Sequence, residues 1–268
     1  MIKSLFHVIG LMVIFLLLAT ITSAEIPKYK HTHLNSFPVQ DACKDGKITI
    51  DGDLSEWKPD TFIDMYADPD LKEFFSCKVA TSYDTNGLLL AVKYVDASPM
   101  INRVDPTVDP FRGWAGDGLQ FRLITDATMK NPITADKINS EAIVHCTMWY
   151  FTDKAQPTLD LRYGMDFHGV TTLIGEKSGL TFKKCDGGYA LEGRIPWSVL
   201  KATAPKPGDK WTATLQPLWG NADGSLQHNF FEVVSAGGFH FQRTDGWGTV
   251  NFIAPSDVKA TLSAQATD

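Results

Sequence analysis

What this chain lacks narrows its chemistry before anything it contains does. No cluster of Lys or Arg stands out, and the formal net charge is −6 at pH 7. Nucleic acid is therefore a poor partner, and anionic polymers are disfavoured unless a local patch overrides the net charge. No Gly-x-Ser-x-Gly elbow, His-Glu-x-x-His pair or phosphate loop occurs, and no specific carboxylate pair marks a glycoside-hydrolysing site. The expectation is a protein that is not itself an enzyme. Cysteine is scarce: Cys43, Cys77, Cys146 and Cys185 are the four, and none forms CxxC or CxxCH. Covalent c-type haem and a zinc knuckle are thereby excluded. There is no internal repeat and no low-complexity run, and helical periodicity is almost absent.

One long apolar run is present. Residues 5–18 are apolar apart from His7 and Gly10, Lys3 precedes them, and Thr22-Ser23-Ala24 supplies small residues after them. This pattern predicts a secretory signal peptide, residues 1–24, cleaved after Ala24. The run is short of the roughly 20 apolar residues a membrane helix needs, and no later stretch reaches that length. The expected product is exported, extracellular or periplasmic, with no membrane span. An even cysteine count in an exported chain predicts two disulfides, with three pairings open.

The mature chain divides into three parts. Residues 25–45, with Pro27 and Pro38, read as a polar, irregular N-terminal arm. Residues 46–253 carry the strand signals. Residues 254–268 are small and polar and read as a flexible tail. Strands are predicted over 47–50, 77–83, 88–95, 117–124, 142–151, 180–184, 189–195, 210–218 and 247–253, from alternation and turn residues. Leu119, Phe121 and Leu123 are expected inward, Gln120 and Arg122 outward. Asn86-Gly87 suits a tight primed hairpin turn, and residues 88–95, apolar on both faces, suit a central strand. Residues 196–200 suggest one helical turn. The fold class is all-β, an antiparallel sandwich of jelly-roll or immunoglobulin-like type. Two connections, 96–116 and 221–238, are long enough to suggest function.

Several phrases, in order, carry a resemblance. Ile48-Thr49-Ile50-Asp51-Gly52 precedes Glu56-Trp57, and Tyr83-Asp84 precedes Asn86-Gly87-Leu88. Trp114 precedes Asp117-Gly118-Leu119-Gln120-Phe121, and Gly188-Tyr189-Ala190-Leu191-Glu192 precedes Ile195-Pro196-Trp197. Trp247-Gly248-Thr249-Val250-Asn251-Phe252 closes the series. Together, over about residues 46–253, this resembles the family 9 carbohydrate-binding modules and their DOMON-like sandwich relatives.

The resemblance implies a non-catalytic domain that binds a polysaccharide or oligosaccharide, alone or beside a separate glycan-active enzyme. A sugar ring stacks its C–H face on an aromatic plane, and its hydroxyls need directed polar partners. By position, Trp114 is the first clamp ring, and Gln120 stands where the family has a carboxylate. Asp117 opens the same strand. Phe241 falls at the second clamp ring, with Arg243 just after it. Trp149 is a further candidate aromatic. Trp57, Trp197, Trp211 and Trp247 sit in phrases that look structural.

Two other ligands belong to the resemblance as alternatives. Relatives with this sandwich hold b-type haem between a Met and a nitrogen donor, for which Met100 and His240 are the best-placed pair. Asp51-Gly52-Asp53 offers carboxylates for a structural calcium but lacks the ligand ladder of an EF-hand loop, and a solvated turn suits it better. A structural or partner-binding sandwich without a small ligand is the remaining alternative.

Overall fold

A computed structural model describes residues 36–43, 47–232 and 244–253. Residues 1–35, 44–46, 233–243 and 254–268 lie outside the described residues. No described helix is long and apolar enough to cross a membrane. In chain order the strands are β1 (Ser36–Val39), β2 (Ile63–Tyr66), β3 (Ser76–Tyr83), β4 (Gly87–Val95), β5 (Gly118–Ile124), β6 (Ile143–Phe151) and β7 (Gln156–Tyr163). After them come β8 (Gly169–Ile174), β9 (Leu180–Cys185), β10 (Gly188–Pro196), β11 (Lys210–Gly220), β12 (Leu226–Asn229) and β13 (Gly248–Phe252).

They form two facing sheets. The larger runs β1-β13-β11-β5-β6-β7-β8, with β12 also paired to β11. The smaller runs β2-β3-β4-β10-β9. Every pairing between these strands is antiparallel except β1 with β13. The fold is the antiparallel β-sandwich that the alternation predicts.

Period-2 alternation decides which side chains meet between the sheets. Leu119, Phe121 and Leu123 of β5, Val144, Cys146 and Met148 of β6, and Leu159, Leu161 and Tyr163 of β7 all join the main core. From the smaller sheet come Leu88, Leu90, Val92 and Tyr94 of β4, with Tyr189, Leu191 and Ile195 of β10. Tyr94 and Tyr189 stack with ring centroids 4.5 Å apart. The Tyr94 hydroxyl crosses the sandwich and donates to Gly118 O (2.7 Å). β4 is central, as its two-sided apolarity requires. Its other face, Leu89 and Ala91, is covered by Ala42, Ile48 and Trp57 from the N-terminal segment.

One side chain fastens that cover. Glu192 of β10 is fully buried. It accepts hydrogen bonds from Trp57 Nε1 (2.7 Å), Gly52 N (2.9 Å) and Asp51 N (3.0 Å). Gly52 adopts φ +78°, and a Cβ there would sit 2.8 Å from Lys183 Cβ, so both the turn and the close approach call for glycine. Two phrases of the sequence, Asp51-Gly52 with Trp57 and the Glu of Gly-Tyr-Ala-Leu-Glu, are halves of one interaction.

Several expectations are corrected. Residues 47–50 join no sheet; Thr49 N donates instead to Glu56 Oε2 (2.6 Å). Ser36–Val39, read as irregular arm, is strand β1. The Asn86-Gly87 hairpin has no positive φ at either residue; an Asx turn makes it, with Asp84 Oδ1 accepting from Asn86 N and Gly87 N. β2, β7, β8 and β12 went unread. The two expected disulfides are not formed, and all four thiols are free. Their cross-strand neighbours explain this. Cys77 faces Met65 and Tyr94, Cys146 faces Phe121 and Leu161, Cys185 faces Gly188, and Cys43 bridges to Trp57. Cys77 and Cys146 act as small apolar core residues.

Candidate functional site

The parity that sends Leu119, Cys146 and Leu161 into the core sends a polar set to the outer face of the larger sheet. Register lays this set out in two rows. Gln216, Gln120, Thr147 and Asp160 are successive partners across β11, β5, β6 and β7, and Arg122, His145 and Arg162 form the next row. These side chains line a cavity of about 490 Å³, walled by Phe111, Trp114, Phe167 and Phe231, with Leu218, Leu226 and Asn229 at the β11–β12 hairpin. Polar groups converging under aromatic walls are what a small-ligand site requires.

The wall bearing Trp114 is built with care. A short 3-10 helix, Pro110–Ala115, lies across β6, and Gly113 rests on the Trp149 indole, where a Cβ would fall 2.5 Å from the ring. Trp149 is fully buried and donates to Val104 O (3.1 Å). Asn102 Nδ2 donates to Gly113 O (2.8 Å) and Asp117 O (3.0 Å). Asp117 accepts from Ile101 N (2.7 Å) and from Gly220 N, tying the start of this loop to the end of β11. Held this way, Trp114 is 37 % exposed, whereas no other tryptophan exceeds 5 %.

Electrostatics inside the cavity follow from burial. Burial, and then the nearby Arg122 charge, brings the His145 pKa down to about 3, so the imidazole is neutral at ordinary pH. Burial lowers Arg122 to about 10, which leaves it charged. Its Nη2 donates to Gln120 Oε1 (2.9 Å), and Gln120 Nε2 donates to Thr147 Oγ1 (3.1 Å). Arg162 Nε donates to Asp160 Oδ2 (2.9 Å), and its guanidinium lies 4.8 Å from the Phe111 ring centroid.

A second acidic feature sits behind the wall. Burial, followed by the neighbouring Asp96 charge, raises Asp117 to about 8, and burial raises Asp96 as well. Asp96 Oδ2 is buried without a donor unless the two carboxyls share a proton. A raised carboxyl pKa in the folded state means stability that is full below the unfolded value of 3.8 and is lost as pH rises through about 8. Thermal stability should therefore fall between about pH 4 and 8 and level off above that, by at most about 1.4 kcal/mol per pH unit for one proton. Asp96→Asn, which keeps an acceptor for Ser98 N and removes the repulsion, should flatten that fall. Thermal melts at four pH values check this; parallel slopes in the two proteins would refute a shared proton.

The residues expected from the sequence separate in space. Trp114 and Gln120 line the cavity together. Asp117 and Trp149 do not line it: they are buried supports of the loop that carries Trp114. Phe241, Arg243 and His240 lie outside the described residues. Met100, the proposed haem ligand, is buried in the main core. Asp53 accepts from Ser55 N to cap a 3-10 turn, and no group of three or more metal-ligating side chains occurs among the described residues. Sequence reading missed Phe111, Thr147, Asp160, Arg162, Gln216 and Phe231. The alternation Leu159-Asp160-Leu161-Arg162-Tyr163 was the signal for two of them. A larger, more open groove of about 1130 Å³ lies along the β9 edge, where Arg194 pairs with Asp84 (2.9 Å). It lacks the exposed tryptophan and the polar rows of the smaller cavity.

No protein-family model matches the chain, and no curated protein does. Solved structures do. A family 9 carbohydrate-binding module from Caldicellulosiruptor kristjanssonii, in complex with cellotriose, aligns at a TM-score of 0.52 and 16 % identity. The alignment covers 83 % of this chain and 95 % of the module. The chain has a family 9-like fold. A structure of a module of that family from the same organism, in complex with glucose, gives a TM-score of 0.52 at 16 % identity, over 82 % of this chain and 97 % of the module.

Proposed function

We propose that this protein is an exported, non-catalytic carbohydrate-binding domain that stacks a sugar ring on Trp114. The observation that carries the reading is the single exposed tryptophan set over a cavity of about 490 Å³ floored by two rows of polar side chains. A pyranose needs an aromatic plane for its C–H face and hydrogen-bonding groups for its rim, and both are present on one sheet face. The neighbours with this fold were solved with cellotriose and glucose, which supports a saccharide ligand. Residues 1–24 serve as the export leader in this reading, and the protein acts alone or beside a separate glycan-active enzyme.

The test is a titration of the purified protein against neutral and acidic mono- and oligosaccharides, followed by tryptophan fluorescence and calorimetry. Six of the seven tryptophans are buried, so a ligand-dependent change reports on Trp114. Saturable binding of at least one saccharide, in the micromolar to millimolar range, is expected. Silence across the panel would overturn the reading.

A further inference from the structure

From the donor and acceptor inventory of the cavity, we infer that the preferred ligand is an acidic sugar whose carboxylate is received by Arg162. The inference rests on the carbohydrate reading above. It begins with charge. The chain as a whole carries −6, yet among the described residues the cavity lining holds two arginines, Arg122 and Arg162, against one aspartate, Asp160. With His145 neutral, this leaves a net positive lining in an acidic protein.

Hydrogen bonding points the same way. Three acceptors of the floor are already engaged inside the protein. Gln120 Oε1 accepts a hydrogen bond from Arg122 Nη2, and because a guanidinium only donates, that contact fixes the amide orientation. Asp160 Oδ2 accepts from Arg162 Nε (2.9 Å), and Asp160 Oδ1 accepts from Thr172 Oγ1 (2.6 Å). Donors remain. Arg162 uses only Nε on Asp160, and neither of its Nη groups bonds to a described residue. Its side chain is 16 % exposed and stacked beneath Phe111, so the guanidinium is held in place before any ligand arrives. A held guanidinium with both Nη groups open suits a group that only accepts. A carboxylate is such a group, whereas a neutral hydroxyl both gives and takes. A charge-assisted bond to a held guanidinium is about twice as strong as a neutral one.

The experiment compares glucuronate and galacturonate with their methyl esters and with glucose and galactose, by calorimetry on the purified protein. At least one free acid should bind 10-fold or more tightly than its ester and its neutral counterpart. Arg162→Gln should bring that ratio close to 1, and Arg162→Lys should restore part of it, with melting curves confirming that both variants fold. An acid no tighter than its ester overturns the inference. Neutral sugars binding while the acids do not overturns the inference and leaves the carbohydrate reading standing. No binding by acids or by any neutral saccharide overturns both.

Discussion

Glu192→Ala should lower the stability of the protein by about 3–5 kcal/mol, the range seen when a buried charged acceptor is removed and its donors are stranded. Three donors depend on this carboxylate: Trp57 Nε1, Gly52 N and Asp51 N. Trp57 is buried in the cluster that covers the smaller sheet, so no water replaces its lost partner without opening that cluster. For a domain of this size, each kcal/mol shifts the melting temperature by about 2–4 °C, giving an expected fall of roughly 6–20 °C. Glu192→Gln retains one carbonyl oxygen and should lose less. Burial raises the Glu192 pKa despite the three donors, so the loss should be measured at neutral pH and again at pH 5. A melting temperature within 2 °C of the parent would show that the N-terminal cover is held by apolar contacts alone.

How much of this was legible beforehand divides along the range of the interactions. Parity within a strand is local, and it placed Leu119, Phe121 and Leu123 inward and Gln120 and Arg122 outward. What covers an outward face is decided elsewhere in the chain. Trp149, a candidate aromatic from the sequence, shares the outward parity of His145 and Thr147. The loop bearing Gly113 lies upon it, which turns it into a support. Asp117 reads as a strand-opening carboxylate, yet one of its partners, Gly220, is 103 residues away. Strand β7 escaped notice because its alternation is short, with Leu159, Leu161 and Tyr163 separated by Asp160 and Arg162 after the polar Gln156-Pro157-Thr158. Those two charged residues point to the cavity side of the sheet. In the cysteines, an even count carried no information about register, and register leaves each facing a different residue type. Trp114 and Gln120, which the family resemblance singled out, come together in one cavity, since both depend on short-range spacing at the start of one strand.

The second large effect concerns Trp114 itself. It lines both the main cavity and an adjoining groove toward Arg103 and Asp223, and its indole is the one exposed aromatic plane of its kind in the chain. Removing a central aromatic anchor costs about 2–3 kcal/mol of binding, which corresponds to a fall of roughly 30- to 150-fold in affinity. Folding should be little affected, within about 1 kcal/mol, because the ring is partly exposed and its neighbours Gly113 and Asp117 are held by Trp149, Asn102 and Gly220. The decisive measurement is a calorimetric titration of Trp114→Ala and the parent with the tightest saccharide of the panel, alongside melting curves of both. Affinity lost by 30-fold or more with an unchanged melting temperature is the expected result. Undiminished affinity in a folded Trp114→Ala protein would contradict a sugar ring stacked on this face of the sandwich.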